Sequence, residues 1–205
     1  NFMTQKFPYV KLQDVAIVRA GIPSREIDRP SHGLIPVKVI NPIALTGTYL
    51  SKVEGEEVSL PGPAATRHGL KEGDILTPSR GIFRASLLEK EPEQLSGGFQ
   101  LVAGPLCHVV RVDAEKAEPA YVAWVLSTPT VQAKMAASAR GAAVRLYSRD
   151  ALAEIEFPLP PIEMQRKLAR AARDAQALMI ARRDEARLEL AITTQELSEI
   201  LGFNA

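Results

Sequence analysis

The hydrophobic positions of this chain follow one spacing in its first half and another after residue 118. Short apolar runs bounded by Gly, Pro, Asn or Asp dominate the first half and favour strands that are buried on at least one face. The strands predicted from these runs are residues 34–40, a strand within 70–81, a returning strand at 82–88, and residues 99–103 and 106–112. From Pro119 to about Arg140 the spacing becomes helical, and Pro129 must start a second helix or kink the first.

The remaining segments of the first 160 residues are shorter and more polar. Residues 12–19 fit a short helix and a strand equally well. The predicted loops are residues 21–33, residues 60–69, the acidic run Glu54, Glu56 and Glu57, and the flexible tip at residues 96–98. Further on, residues 141–147 form a short extended piece, Ser148 is a predicted helix N-cap, and residues 155–157 are a last strand. Because strands and helices alternate irregularly, we predict an α+β fold.

The most distinctive stretch is Pro158-Leu159-Pro160-Pro161-Ile162-Glu163-Met164-Gln165, which leads into a long run without Pro or Gly. Proline is tolerated in a first helical turn, so Pro161 is predicted as the first helical residue, with Glu163 favouring the helix dipole. Gly202 stands where a left-handed C-terminal cap is expected. We therefore predict a domain over residues 3–160 and a helix over residues 161–202, about 60 Å long at about 1.5 Å per residue.

This helix is amphipathic without being a strict heptad seam. Its predicted apolar stripe consists of Leu168, Ala172, Ala175, Met179, Ala186, Leu190, Leu197 and Leu201. The opposite side carries arginines and glutamates. The stripe can pack along the chain's own domain or against another helix, and the second reading is favoured because about 60 Å exceeds the diameter of a domain of this size.

Composition adds few constraints. With 205 residues and a formal net charge of +1, the chain can bury a sizeable core, and any basic surface must be a local patch. Its one cysteine, Cys107, lies in an apolar run, is predicted to be buried and cannot form an intrachain disulfide. The sequence shows neither a signal peptide nor a run of eighteen apolar residues, so we expect a cytoplasmic protein without a membrane segment.

No arrangement of residues in the sequence predicts catalysis, a metal site or a cofactor. His32, His68 and His108 lack metal-ligand spacing, and His108 is predicted to be a core histidine because it lies in an apolar strand. Gly-rich phosphate loops are absent, and Ser79-Arg80-Gly81 lacks the flanking glycine of a nucleophile elbow. Asp74 follows a glycine in a turn and is expected to cap backbone amides. We expect a chain that is not itself an enzyme.

Basic residues in predicted loops are the candidates for binding. Guanidinium groups on loops can hold phosphates or read guanine through two parallel hydrogen bonds. The candidate nucleic-acid contacts are Arg67, Ser79, Arg80, Arg84, Arg140 and Arg145. Arg80 and Arg84 flank a predicted turn that contains the small residue Gly81 and follows Ser79, and the other arginines lie in two further predicted loops. Taken singly, each arginine is more often a solvated surface residue, so the prediction depends on their convergence on one face.

The order of landmarks resembles the DNA-specificity subunit of type I restriction–modification systems. The similarity covers almost the whole chain, and its most specific part is Pro158-Leu159-Pro160-Pro161 with Gln165 four residues on. The other matching pieces are Leu12-Gln13-Asp14-Val15-Ala16 with Gly21, the Gly73-Asp74-Ile75-Leu76 core, Pro119-Ala120-Tyr121 opening a helix that ends near Gln132, and residues 141–152.

The resemblance implies a non-catalytic target recognition domain followed by a spacer helix, in a bacterial or archaeal cytoplasm. Such subunits dock methyltransferase subunits, and through them a restriction subunit, onto double-stranded DNA. Family members usually carry two recognition domains and two paired helices, whereas this chain has one of each. It is therefore expected to be either a fragment or a half-sized subunit that forms a homodimer through the helix, and the homodimer would read an interrupted palindrome.

Two other functions stay open at this point. The first is an assembly protein whose helix serves interaction alone, without DNA binding; the near-neutral charge agrees with it. The second, less favoured, is a nuclease or methyltransferase in its own right, which the absence of a carboxylate cluster and of a cofactor loop in the sequence argues against. Salt-dependent binding to duplex DNA separates the first alternative from a specificity subunit.

Overall fold

A computed structural model describes residues 6–27, 33–50, 52–141 and 144–201. The chain divides into two units, Asn1–Arg166 and Lys167–Ala205. The first unit is a mixed domain of strands and helices. The second consists, where it is described, of the continuation of one long helix.

The described part of the first unit contains short strands and short helices in irregular order. The strands are β1 (Tyr9–Lys11), β2 (Ala16–Ala20), β3 (Leu34–Ile40), β4 (Tyr49–Leu50), β5 (Glu56–Pro61), β6 (Asp74–Pro78), β7 (Ser86–Leu88), β8 (Gln100–Ala103), β9 (Cys107–Val112) and β10 (Glu156–Pro158). The helices are α1 (Leu12–Val15), α2 (Ser24–Ile27), α3 (Gly62–His68), α4 (Pro92–Ser96), α5 (Pro119–Leu126), α6 (Pro129–Ser138), α7 (Arg149–Ala153) and α8 (Ile162–Ile200), and α8 continues into the second unit. The predicted α+β class with a long C-terminal helix is confirmed.

The strands form three sheets. The largest has the order β2-β9-β6-β7-β4, in which β4 runs parallel to β7 and the other neighbours are antiparallel. The second has the order β5-β3-β8, with β5 antiparallel and β8 parallel to β3. The third pairs β1 with β10 and so ties the start of the domain to the strand that precedes α8.

Apolar side chains fill the spaces between these layers. One cluster joins the five-stranded and three-stranded sheets, and its members include Ile40, Leu76, Leu88, Leu101 and Val109. A second cluster lies between the three-stranded sheet and helix α3, with Val37, Leu60, Ala65 and Val102. Each large aliphatic side chain buried in this way contributes about 1.5–3 kcal/mol relative to exposure.

Helix α5 packs against β6, β7 and β9. Successive strand residues point to opposite faces, and both sets are buried here: Leu76 and Val109 belong to the first cluster, while Ile75 and Val110 are also buried. The five-stranded sheet is therefore covered on both faces at its centre, which explains why its central strands are apolar without alternation.

Several sequence predictions agree with these elements, one predicted strand is longer than the observed one, and four segments read as loops need correction. The predicted strands at 34–40, 99–103 and 106–112 correspond to β3, β8 and β9; Pro129 starts α6, and Ser148 caps α7 by accepting a hydrogen bond from the Ala151 amide. Residues 12–19, which fitted a helix and a strand equally, contain both in succession, α1 and then β2. The predicted strand at 82–88 is shorter than expected, because β7 covers residues 86–88 alone.

The corrections concern segments read as loops. Residues 60–69 end β5 and form α3, because Pro63 occupies a first-turn position where its missing amide costs nothing. Glu56 and Glu57 belong to β5, an edge strand whose polar side chains face solvent. Residues 24–27 form α2, and the part of the predicted loop at 28–32, with His32, lies outside the described residues. The tip at 96–98 is the left-handed end of helix α4, at Gly97 with φ of 78°.

The hydrogen bonds of the Gln165 side chain show why glutamine ends the proline signature. Its side chain is buried, donates a hydrogen bond from Nε2 to the Pro160 carbonyl over 2.7 Å, and accepts one at Oε1 from the Glu118 amide over 2.9 Å. The Glu118 amide precedes α5 and has no partner within that helix. One side-chain amide therefore joins the start of α8 to the start of α5, and it needs both a donor and an acceptor.

Replacing Gln165 with alanine should lower the free energy of unfolding by about 2–4 kcal/mol, because the buried Pro160 carbonyl and the part-buried Glu118 amide lose their partners. A fully buried group left without a partner costs about 1–3 kcal/mol, and the part-buried amide costs less because water can reach it. Urea denaturation at pH 7 measures this loss. Gln195→Ala is the matched control: Gln195 lies on the same helix but is exposed, so its replacement should change stability by less than about 0.5 kcal/mol. A Gln165→Ala loss as small as that of the control would contradict the proposed role.

Helix α8 has 39 residues, which corresponds to about 58 Å at about 1.5 Å per residue. The helix starts at Ile162, one residue after the predicted Pro161, and the predicted cap at Gly202 lies outside the described residues. The large apolar side chains of residues 178–201 are exposed, namely Leu178, Met179, Ile180, Leu188, Leu190, Ile192, Leu197 and Ile200 of the helix and Leu201 directly after it. Among the described helices, including α8, none is both long enough and apolar enough to cross a lipid bilayer.

Candidate nucleic-acid interface

Four of the six candidate contacts lie on one small structure. Three extended segments, residues 79–82, 140–141 and 144–147, run side by side and carry Ser79, Arg80, Arg140 and Arg145. We call these segments the arginine ribbon. The three arginines are exposed, so their charges face solvent. The ribbon therefore gathers residues that are 66 positions apart in sequence, as Ser79 and Arg145 are.

Leu146 is the centre of the ribbon. Its amide and carbonyl exchange two hydrogen bonds with Arg140, over 2.8 and 3.1 Å. On its other side it faces Arg80, with hydrogen bonds from Gly81 to the Arg145 carbonyl and from Tyr147 to the Ser79 carbonyl. Directly opposed residues of an antiparallel ladder share a face, about 4.5–5.5 Å apart between Cα atoms, so Arg80, Leu146 and Arg140 lie on one side of the ribbon.

Arg145 lies on the other side of the ribbon from its neighbour Leu146, because neighbouring residues of an extended segment point in opposite directions. This alternation does not extend to Ile82 and Val144, where the chain bends. On its side of the ribbon, Arg145 borders a cleft of about 530 Å³ between the ribbon and helix α6. The cleft is lined by Gly81, Ile82, Phe83, Gln132, Ala133, Ala136, Val144, Arg145 and Tyr147. The ribbon thus presents positive charge on both of its faces.

Tyr147 holds the segments together. Its hydroxyl donates to the Gly81 carbonyl over 2.8 Å, and its ring packs edge-on against Phe83 with centroids 5.3 Å apart. Its carbonyl oxygen lies 2.9 Å from Nε2 of His108. A carbonyl can only accept, so Nε2 of His108 carries a proton, and the neutral form of this imidazole is the Nε2–H tautomer. Tyr147 and His108 therefore fix the ribbon to strand β9.

Two glycines allow the turns of the ribbon. Gly81 has φ of 87° and Gly141 has φ of 96°, values that side-chain-bearing residues rarely adopt. At Gly141 an added Cβ would also lie 2.5 Å from the Val144 carbonyl oxygen. These backbone conformations keep the arginines on short, tightly held segments.

Arg67 and Arg84 lie outside the ribbon. Arg67 is in the last turn of α3, not in a loop as predicted, and its guanidinium forms a 2.6 Å salt bridge with Glu26. Arg84 is partly buried and donates to the Leu45 carbonyl over 2.7 Å. Their charges are thus engaged within the domain, while a role of any of the six residues in DNA contact remains a prediction.

Sequence reasoning missed several residues of this surface. Arg149 is exposed at the start of α7 and near enough to His108 to help lower the pKa of that imidazole. Ile82, Val144 and Leu146 are exposed apolar residues of the ribbon. The sequence signal that could have drawn attention to Ile82 is its position directly after an arginine and a glycine.

A second charged group lies beside the five-stranded sheet. Arg111 on β9 forms two hydrogen bonds with the buried Asp74 on β6, over 2.7 and 2.6 Å, and Arg111 also donates to the Gly69 carbonyl. Asp74 additionally accepts from the Lys71 amide, which agrees with its predicted capping role. The hydrogen bond with Asp74 raises the pKa of Arg111, whereas burial and then the charge of Arg111 lower the pKa of Arg19. This ion pair joins β6 to β9 and to the end of α3.

His108 predicts a pH dependence of stability. Burial lowers the pKa of His108, and its Nδ1 has no hydrogen-bond partner among the described residues. The pKa is therefore lower in the folded than in the unfolded chain, where it is about 6.5. Stability should be full above pH 6.5 and should fall as the pH drops below it, because the unfolded state binds the proton more tightly.

Urea denaturation between pH 7.5 and 5.5 tests this expectation. One histidine can change the free energy of unfolding by at most about 1.4 kcal/mol per pH unit. His108→Gln keeps a donor for the Tyr147 carbonyl but does not titrate, so its profile should be flatter. His68, whose pKa is also lowered mainly by burial, should account for the slope that is left. Equal slopes for the two proteins would contradict the role of His108.

Chemistry other than binding has little support in the described residues. No group of His, Cys, Asp and Glu in them could hold a metal ion. Burial raises the pKa of the Cys107 thiol to about 12, so this side chain stays protonated and is a poor nucleophile. Exposed guanidinium groups such as those of the ribbon can bind anions.

Comparison with known proteins gives a clear result at the level of structure. No protein-family model matches the sequence, and no curated protein does. Among solved structures, the HsdS subunit from Thermoanaerobacter tengcongensis aligns over 97% of this chain and 48% of its own, with a TM-score of 0.58 and 20% identity. A chain solved in a study of complex assembly and conformational transition of the type I R-M system aligns over 96% of this chain and 45% of its own, with a TM-score of 0.63 and 18% identity.

This chain has the fold of a type I specificity subunit. The resemblance drawn from the sequence is confirmed at the level of the fold, both for the mixed α+β domain and for the long helix that follows it. The chain spans about half the length of the specificity-subunit chains it matches. The identities lie near 20%, so the likeness concerns the fold of these subunits and leaves their activity to be tested for this chain.

Proposed function

We propose that this chain is a DNA-recognition subunit of a type I restriction–modification complex. It is not catalytic itself; it directs methyltransferase subunits, and through them a restriction subunit, to a bipartite site on double-stranded DNA in the cytoplasm of a bacterium or archaeon. The observation that carries the proposal is the convergence of Arg80, Arg140 and Arg145 on one ribbon of a domain with the specificity-subunit fold.

The ribbon suits duplex DNA on physical grounds. The major groove is about 12 Å wide and admits a two-stranded ribbon of extended chain. Two adjacent segments of the arginine ribbon, residues 79–82 and 144–147, form such a pair and carry Arg80 and Arg145. A ribbon with guanidinium groups on both faces can reach phosphates on both sides of such a groove, and arginine can also read guanine from within it. Arg149, beside the ribbon, adds a further cation.

Helix α8 supports the second part of the proposal, pairing of two copies. At about 100° per residue, Met179, Leu190, Leu197 and Leu201 lie on one stripe of the helix, and all four are exposed. An isolated helix with apolar side chains in water is marginal, so such a stripe favours a partner. Two copies related by a two-fold axis would read two identical half-sites, with the helices setting their separation.

Methylation sequencing tests the DNA-directing role. The chain is expressed together with each type I methyltransferase subunit that its source genome encodes, in a host without DNA methylation, and the same methyltransferase subunit is expressed alone as the control. We expect one interrupted, palindromic methylated motif that requires this chain. Methylation that is absent in both strains, or identical in both, would overturn the proposal in favour of an assembly protein without DNA recognition.

Leucine replacements on opposite sides of α8 test the pairing. Leu190 and Leu188 are 66% and 63% exposed and lie about 160° apart around the helix, so they are matched in size and exposure. Solution mass at micromolar concentration should show a dimer for the wild type and for Leu188→Glu, and a monomer for Leu190→Glu combined with Leu197→Glu. A monomeric wild type, or equal effects on both faces, would contradict pairing through this stripe.

A further inference from the structure

The arginine ribbon carries apolar side chains that its charge does not explain. Ile82 is 75% exposed and borders the cleft together with Val144 and Arg145. Val144 is also exposed, and Leu146 lies on the opposite side of the ribbon. Isoleucine and valine next to arginines gain nothing from phosphates, so a purely electrostatic contact with the DNA backbone does not account for them.

We propose that Ile82 and Val144 contact the C5-methyl group of a thymine in the recognised DNA, with Arg145 beside them in the same cleft. This inference rests on the proposed function and specifies which kind of base the ribbon reads. The neighbouring arginines favour a polyanionic partner, and within duplex DNA the apolar group exposed in the major groove is the thymine methyl.

The cleft combines the two chemistries that a thymine edge offers. In the major groove, thymine presents its methyl group beside the O4 acceptor. Ile82 and Val144 provide an apolar surface for the methyl group, and the Arg145 guanidinium provides N–H donors for O4 or for an adjacent guanine. Cytosine has a hydrogen in place of the methyl group and an amino donor in place of O4, so both contacts discriminate against it.

The cleft is also held in shape before DNA binds. Tyr147 and Phe83 form its floor through their edge-on ring contact and the hydrogen bond to Gly81, and both are buried. Helix α6 supplies the opposite wall with Gln132, Ala133 and Ala136. A rigid floor under two exposed aliphatic side chains lowers the entropy cost of using them for recognition.

Deoxyuridine substitution tests the inference, because it removes the C5-methyl group and leaves every hydrogen-bonding group in place. The probe is a duplex carrying the motif found by methylation sequencing, with each thymine replaced in turn, and binding is measured with the assembled methyltransferase complex. For one thymine per half-site we expect about three- to fivefold weaker binding, the size expected for burying one methyl group. In Ile82→Ala the same substitution should change affinity by less than about twofold.

Ile17→Ala is the matched control. Ile17 is 71% exposed and pairs with Arg111, toward the end of β9 away from Cys107 and the ribbon. Replacing Ile17 should leave the ratio of the affinities for the thymine duplex and the deoxyuridine duplex at the wild-type value. Circular dichroism and urea denaturation should show Ile82→Ala folded, because an exposed side chain is removed.

Three results would overturn the inference while leaving the proposed function intact. The first is a motif whose binding does not respond to deoxyuridine at any thymine. The second is a ratio of the affinities for the thymine and deoxyuridine duplexes that neither Ile82→Ala nor Val144→Ala changes. The third is a loss of methyltransferase assembly in Ile82→Ala without a change in that affinity ratio. The last would mark the apolar residues as a protein-docking surface. A failure of the proposed function is distinct, because then no duplex is bound and no motif is methylated.

Discussion

Replacing Arg80, Arg140 and Arg145 together with alanine should weaken binding to duplex DNA by at least about 100-fold near physiological salt. Each arginine that contacts a phosphate or a base contributes about 1 kcal/mol or more, and about 1.4 kcal/mol corresponds to a factor of ten. Each lost phosphate contact should also reduce the slope of log affinity against log salt by about 0.9. Titration of a fluorescent duplex at several salt concentrations measures both quantities.

The single variants divide the three arginines by role. An arginine that positions the ribbon on phosphates should weaken binding to all sequences equally and lower the salt slope. An arginine that reads a base should relax the methylated motif at one position and leave the slope nearly unchanged. Arg145 borders the cleft with Ile82 and is therefore expected in the second group.

A net-charge control is needed, because the triple variant changes the charge of the chain by three units. Lys52, Lys71 and Lys116 are exposed and lie outside the ribbon, so their joint replacement by alanine gives the same change in charge. This control should lower DNA affinity by less than about tenfold. If both triple variants bind equally weakly, the effect is a property of net charge and the ribbon has no special role.

Replacing Arg111 with methionine should lower the free energy of unfolding by about 3–5 kcal/mol. Asp74 is 1% exposed, and removing Arg111 leaves its carboxylate buried without a countercharge, while the Lys71 amide remains as a donor. This loss of stability should be larger than the loss caused by removing the other partner in Asp74→Ala. In that variant the Arg111 side chain is left without its partner, but it is 36% exposed, so water can solvate its charge. Guanidinium denaturation of the three proteins at pH 7 measures these differences.

The double variant Asp74→Ala with Arg111→Met completes a thermodynamic cycle. Two partners of one buried ion pair couple strongly, so the double variant should be more stable than the sum of the two losses implies, and more stable than Arg111→Met alone. Additive losses would mean that the two hydrogen bonds between Arg111 and Asp74 do not stabilise the domain. The effect on DNA binding should be small, since neither residue belongs to the ribbon.

The local elements that sequence reasoning predicted well are those whose cause lies within a few residues. Apolar runs in the sequence predicted β3, β8 and β9, and the serine before α7 was recognised as its N-cap. The long run without proline or glycine predicted α8. The segment at 60–69 failed because its two prolines and two glycines suggested a loop, whereas Pro63 in a first turn and the packing of Ala65 against Val37 and Leu60 favour a helix.

The candidate site was predictable in part. Sequence reasoning named Ser79, Arg80, Arg140 and Arg145 as basic or polar residues of loops, and the structure brings these four together. It named Arg67 and Arg84 by the same rule, yet Glu26 and the Leu45 carbonyl engage them. Glu26 lies 41 positions from Arg67 in the sequence, and Leu45 lies 39 positions from Arg84. A local sequence pattern does not reveal partners at such distances.

The sequence by itself determined the α+β class, the presence of a long helix after the proline signature, and the resemblance to specificity subunits, because periodicity, proline chemistry and short motifs act over short distances. Tertiary structure alone decided which arginines share a ribbon, that Tyr147 and His108 hold it, and that Gln165 joins the starts of α5 and α8. Those contacts join segments 39 to 66 residues apart, and such distant pairings form only when the two sheets and their helices pack into a common core.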